Sequence, residues 1–169
     1  ALRASLFEAT WDRSGNWGLV LLEPGTMPAQ PDPVRYMSAA AALEAAGNTG
    51  AANAAYAAAA RLWPKAPLPR LGLGNLAAAA GDWAEAERWY RAVLADAPTQ
   101  AAALNNRAEA LVRLGCRDAA RLLLQQGTVH VAADDPLQPV LQQTVRDLSA
   151  QVGATPAGPE AECTQFTVR

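Results

Sequence analysis

Glycines stand at positions 47, 81 and 115, separated by two equal steps of 34 residues. The same step carries Ala52 to Ala86 to Ala120, Tyr56 to Tyr90 to Leu124, and Pro64 to Pro98. A fixed period of this length describes a stack of copies of one supersecondary unit, none of which can bury its apolar face alone. The residue types say what the unit is. A glycine, which tolerates left-handed backbone, ends a first helix; a proline, which cannot continue a helix interior, ends a second. Small residues at Ala40, Gly74 and Ala108 on the first helix, and at Ala52, Ala86 and Ala120 on the second, let the opposing helix come close. Tyr56, Tyr90 and Leu124 fill the space between copies. An unrelated alanine-rich bundle would share the composition but has no reason to hold this register.

The pattern resembles the tetratricopeptide repeat, most closely in the middle copy, where Leu73-Gly74-Asn75 precedes Gly81-Asp82-Trp83, Ala86, Tyr90, Leu94 and Pro98. The resemblance implies an all-α superhelical solenoid of three helix-turn-helix repeats plus a C-terminal capping helix, preceded by a short strand-containing segment. It also implies a protein- or peptide-binding scaffold that works through its concave face.

At 169 residues the chain fits one domain, or one domain with a fragment of another. Apolar residues make up 51% of it, yet many are alanines that bury little area, so Trp63, Trp83, Trp89 and the tyrosines must supply bulk. With 14 basic and 16 acidic residues mixed along the chain, no basic stripe points to a nucleic-acid partner. The strongly apolar run at 18–22 is far too short to span a membrane. The chain begins at Ala1 with neither an initiator methionine nor a leader, so a targeting peptide or upstream domain is expected to have been lost or removed.

Four segments follow. Residues 1–23 read as the remnant or end of an upstream domain. Leu2, Leu6, Phe7 and Trp11 have a weak helical spacing, 12–16 a turn composition, and 17–22 the look of a buried strand. A lone strand leaves backbone groups unpaired; its partner is expected later in this chain or, by preference, in a domain upstream of Ala1, and an exposed strand could also pair edge to edge with a second copy as a dimer. Residues 24–33, with five prolines and glycines, form a stiff linker. Residues 34–151 hold the repeats, with helices at about 34–46, 50–62, 68–80, 83–96, 101–114 and 117–127. A capping helix is expected from Asp135 as N-cap and Pro136 in its first turn to about Gln151, with Val140, Leu141, Val145 and Leu148 on its apolar face. Residues 152–169 form a tail.

No residue pattern supports catalysis. His130 is the only histidine and has no ligand-spaced neighbour; no nucleotide loop, zinc pattern or nucleophile elbow is present. Glu85 and Glu87, and Asp134 and Asp135, read as solvated faces and helix starts. No cofactor or metal is expected. Cys116 and Cys163 leave two possibilities open: a disulfide that fastens the tail, or two free thiols. Bonded cysteines would favour an oxidising compartment, the bacterial periplasm or envelope, and free ones the cytoplasm.

The remaining surface is the concave face of the first helices, where inward positions include Met37, Ala41 and Glu44, then Leu71, Asn75 and Ala78, then Asn105, Asn106, Glu109, Val112 and Arg113. Asn75 and Asn106 fall where some tetratricopeptide domains hold a peptide's backbone or terminal carboxylate with asparagines. The lysines and arginine that complete that clamp are missing, so an acidic C-terminal peptide is not the expected ligand. An alanine-lined groove better suits an extended segment with modest side chains, the chain's own tail included.

The run Trp11-Asp12-Arg13-Ser14-Gly15-Asn16-Trp17-Gly18-Leu19-Val20-Leu21-Leu22-Glu23-Pro24-Gly25, with Met27-Pro28 and the later Leu114-Gly115-Cys116 turn, resembles papain-like bacterial cysteine peptidases of the bacteriocin-processing, double-glycine type that carry C-terminal repeats. That resemblance implies a non-catalytic C-terminal portion, because no residue here matches the family's catalytic Cys and His. Its repeats would then recruit substrate or partner. An adaptor in envelope assembly is a further reading.

Overall fold

The three glycine corners form as their spacing requires. Gly47, Gly81 and Gly115 have φ of +74°, +79° and +83°, the left-handed region that side chains with a Cβ rarely adopt. At each corner two backbone N–H groups fold back onto the preceding helix: Asn48 to Leu43, Asp82 to Ala77 and Cys116 to Leu111, at 2.8–2.9 Å, beside Gly47 to Glu44, Gly81 to Ala78 and Gly115 to Val112. A computed structural model of the chain describes residues 7–11 and 17–21 as backbone, 32–150 in full, and Cys163 and Phe166. It contains strands β1 (Phe7–Trp11) and β2 (Trp17–Leu21) and helices α1 (Pro33–Ala45), α2 (Thr49–Leu62), α3 (Pro67–Ala79), α4 (Trp83–Asp96), α5 (Ala101–Arg113) and α6 (Arg117–Gly127). A 3₁₀ turn at Thr128–His130 and helix α7 (Gln138–Ala150) follow.

Two compact units, residues 1–55 and 56–169, divide the chain. In the first, β1 and β2 pair antiparallel, with Phe7 opposite Leu21 and Trp11 opposite Trp17. This corrects two expectations. Residues 7–11 are extended, not helical, and the partner of β2 lies within the chain. A five-residue connection between two short strands is an ordinary hairpin, and pairing satisfies backbone groups that a lone strand would leave open. The linker at 24–31 and the tail apart from Cys163 and Phe166 lie outside the described residues. Helix α1 starts where its capping chemistry dictates: the Asp32 carboxylate accepts from Val34 N–H at 2.9 Å, with proline in the first turn. Ala40 and Ala52, the small residues of the first repeat, are fully buried.

In the second unit, α3 to α7 pack each on the next. Glycines set the closest approaches: a Cβ on Gly72 would lie 2.7 Å from the Tyr56 ring, and one on Gly74 would overlap the Tyr90 ring. Ala86, Tyr90 and Ala110 form one buried cluster. A second, built on Leu104, Leu111, Leu123, Leu124 and Leu141, joins α5, α6 and α7. Helix α7 begins at Gln138, later than expected, because Asp135 and Pro136 form a separate turn in which the Asp135 carboxylate accepts from Leu137 N–H at 2.8 Å. Val140 points outward at 47% exposure while Leu141 is fully buried. The apolar face of α7 is thus narrower than its spacing suggested, and excludes Val140.

The polar core holds the largest departure. Glu87, expected on a solvated face, is fully buried and accepts from Arg107 Nε at 2.9 Å. Burial pushes the Arg107 guanidinium below its usual range, and the neighbouring Glu87 acts against that shift. Arg107 Nη2 also donates to the Phe166 carbonyl at 3.3 Å. Cys116 and Cys163 are bonded, with Cα atoms 5.5 Å apart, so the free-thiol alternative falls. The disulfide sets Cys163 and Phe166 against the α5–α6 core.

Candidate functional site

Asn75 on α3 and Asn106 on α5 are 31 residues apart, yet Asn106 Nδ2 donates to Asn75 Oδ1 at 3.0 Å. They meet because α3 and α5 are the first helices of successive repeats. Tyr90, rising from α4 between them, donates its hydroxyl to the same Asn75 oxygen at 3.0 Å. Asn105 Nδ2 in turn donates to Asn106 Oδ1 at 3.3 Å. The result is a fixed polar cluster at the floor of an open cavity of about 290 Å³, lined by Asn75, Ala78, Ala79, Trp83, Tyr90, Asn106 and Glu109. Trp83 forms one wall. The Arg113 guanidinium lies 5.0 Å from the Trp83 ring centroid and reaches Glu109 Oε1 at 3.4 Å.

Of the residues expected on the groove, Asn75, Ala78, Asn106 and Glu109 line this cavity. Arg113 stands at its rim, and Asn105 supports it from one residue away. Leu71 packs into the Ala86–Tyr90–Ala110 cluster instead, and Met37 lies half-buried on α1 in the first unit. Trp83 and Tyr90 were missed as lining residues, having been read as bulk and spacer. A signal for Trp83 existed: one period either way stand Thr49 and Arg117, so the tryptophan breaks the repeat. The described residues of the tail sit against the α5–α6 core and do not line this cavity, so they are not its occupant.

Among the described residues no cluster of His, Cys, Asp and Glu is arranged to hold a metal, and His130 is exposed at the end of the 3₁₀ turn. No helix among them is long and apolar enough to cross a membrane.

No family model and no curated protein matches the chain. Solved structures do. The type III secretion chaperone SycD of Yersinia enterocolitica, in complex with a peptide of the translocator YopD, superposes with a TM-score of 0.65 at 17% identity, over 75% of this chain and 99% of that one. The tetratricopeptide-repeat domain of Sgt2 from Aspergillus fumigatus gives 0.61 at 16% identity, covering 79% and 90%. YrrB, described as a tetratricopeptide-repeat protein with an unusual peptide-binding site, gives 0.60 at 20% identity, covering 80% and 65%. Identities this low speak for the fold alone, and the fold is an all-α tetratricopeptide-repeat solenoid of three repeats and a capping helix, preceded in the chain by the short β1–β2 hairpin.

Proposed function

We propose that this chain is a peptide-binding scaffold that holds an extended segment of a partner protein against α3, α4 and α5. One observation carries the reading: Asn75 lines the open cavity with its Oδ1 held by Tyr90 and Asn106, and among the described residues nothing accepts from its amide hydrogens. A free donor pair locked in place by two neighbours suits a main-chain carbonyl, the group every peptide offers. Because helices rather than loops position it, little ordering cost falls on the protein when the segment docks. The peptide-bound chaperone and the peptide-binding repeat protein that share this fold support the assignment. On this reading the chain is a binder and not an enzyme.

Peptides selected by display against the whole chain test it. Asn75→Ala is expected to weaken the selected peptides about 5- to 30-fold, the loss of a hydrogen bond from a desolvated site. Asn105→Ala, one residue outside the cavity, should change affinity by less. Equal binding by Asn75→Ala and the parent chain would remove the reading.

Narrower proposals attach to it. The Cys116–Cys163 bond supports an oxidising compartment such as the periplasm or envelope, where an adaptor role in assembly would also lie. The run from Trp11 to Gly25 supports a parent protein of the papain-like peptidase type, and a Cys…His peptidase domain encoded upstream would establish it. Self-association through the edge of β2 not paired with β1 is tested by concentration-dependent sedimentation.

A further inference from the structure

The cavity has a charge and a direction. Glu109 is the one charged residue among those that line it, and its side chain is 53% exposed. The amide acceptors of the floor are already engaged: Asn75 Oδ1 by two donors and Asn106 Oδ1 by Asn105. What the floor still offers is donors. The open acceptor is the Glu109 carboxylate, to which, among the described residues, only Arg113 donates, at 3.4 Å. Other arginines of this unit are committed elsewhere, Arg107 to buried Glu87 at 2.9 Å and Arg70 to Asp96 at 2.8 Å.

Arg113 shows what this rim prefers. Its guanidinium lies over Trp83 and against Glu109 at once, the two features that attract a cation: a ring face and a carboxylate. The hold is loose, because both side chains of the pair are more than half exposed, and exposed pairs one helical turn apart contribute little. A better-placed cation can displace it.

The geometry points to a lysine or arginine side chain of the bound segment as the group this cavity takes, its alkyl stem along Ala78, Ala79 and Trp83 and its charged end at Glu109, with Arg113 as the internal competitor for the same carboxylate. The inference rests on the peptide-binding reading and narrows it: the partner segment carries a basic residue among small ones, beside a main-chain carbonyl held by Asn75. Charge complementarity selects this occupant over an acidic one, which Glu109 would repel.

The experiment uses the full chain and three dodecapeptides of alanine, serine and glycine that differ at one central position: lysine, norleucine or glutamate. Binding is read from the Trp83 indole N–H resonance, assigned by loss in Trp83→Phe. The lysine peptide is expected to bind about five- to tenfold more tightly than norleucine, and the advantage to shrink with salt. Glu109→Gln should erase it. Arg113→Gln should enlarge it, because the competitor is gone. Both positions are exposed, and unchanged thermal unfolding confirms that the variants fold. Equal binding of the lysine and norleucine peptides, or weaker lysine binding by Arg113→Gln, overturns this inference and leaves the peptide-binding reading standing. No movement of the indole resonance with any of the three overturns both.

Discussion

Arg107 makes the most demanding contacts among the described side chains. It is 4% exposed, pairs with a fully buried Glu87 and donates to the carbonyl of Phe166. Removing Arg107 leaves the buried Glu87 carboxylate with only the half-exposed Arg91, 3.8 Å away, so Arg107→Met is expected to cost about 3–5 kcal/mol in urea denaturation. Glu87→Met with Arg107→Met should recover most of that loss, since two apolar side chains strand no charge. Gly74 fails for a different reason. Its absent Cβ is where the buried Tyr90 ring lies, so Gly74→Ala should destabilise by about 1–3 kcal/mol through forced repacking. A melting temperature unchanged in Gly74→Ala would contradict that contact. The small residue at 74 was readable from the period. The Glu87–Arg107 pair was not, because nothing in the spacing of Glu85, Glu87 and Arg88 along one helix says which of them turns inward.

Helix boundaries follow local chemistry closely wherever a cap is strong. Asp82 accepts from Glu85 N–H at 3.0 Å and fixes the start of α4 at Trp83, where the sequence expects it. At α7 the same kind of residue misleads, since Asp135 caps a turn and the helix starts three residues further on. An aspartate followed by proline stabilises either arrangement; packing of Leu141 into the α5–α6 core selects between them. Two substitutions separate the faces of α7. Leu141→Ala is expected to cost about 2–5 kcal/mol, whereas Val140→Ala, at a position 47% exposed, should stay within about 0.5 kcal/mol. Comparable losses from both, measured by chemical denaturation, would mean that α7 is rotated from the orientation described here.

Across the chain, the disulfide closes a loop with a sequence separation of 47 residues between Cys116 and Cys163. In the chain-entropy model that closure contributes about 4 kcal/mol, so Cys116→Ser with Cys163→Ser should lower stability by roughly that amount, and reductant should do the same to the parent chain. A change within error in both measurements would show that the tail residues hold their place without the bond. What could be read without coordinates was whatever the backbone chemistry of single residues encodes: a glycine for each left-handed corner, a proline past the end of a helix, a small residue at each close seam, all recurring at one period because each copy solves the same local problem. What could not be read was which distant residues meet. Asn75 with Asn106, Glu87 with Arg107, and Cys116 with Cys163 are pairings between separate elements. They depend on how far apart and at what angle those elements pack, a property of the assembled stack that no window of local sequence contains.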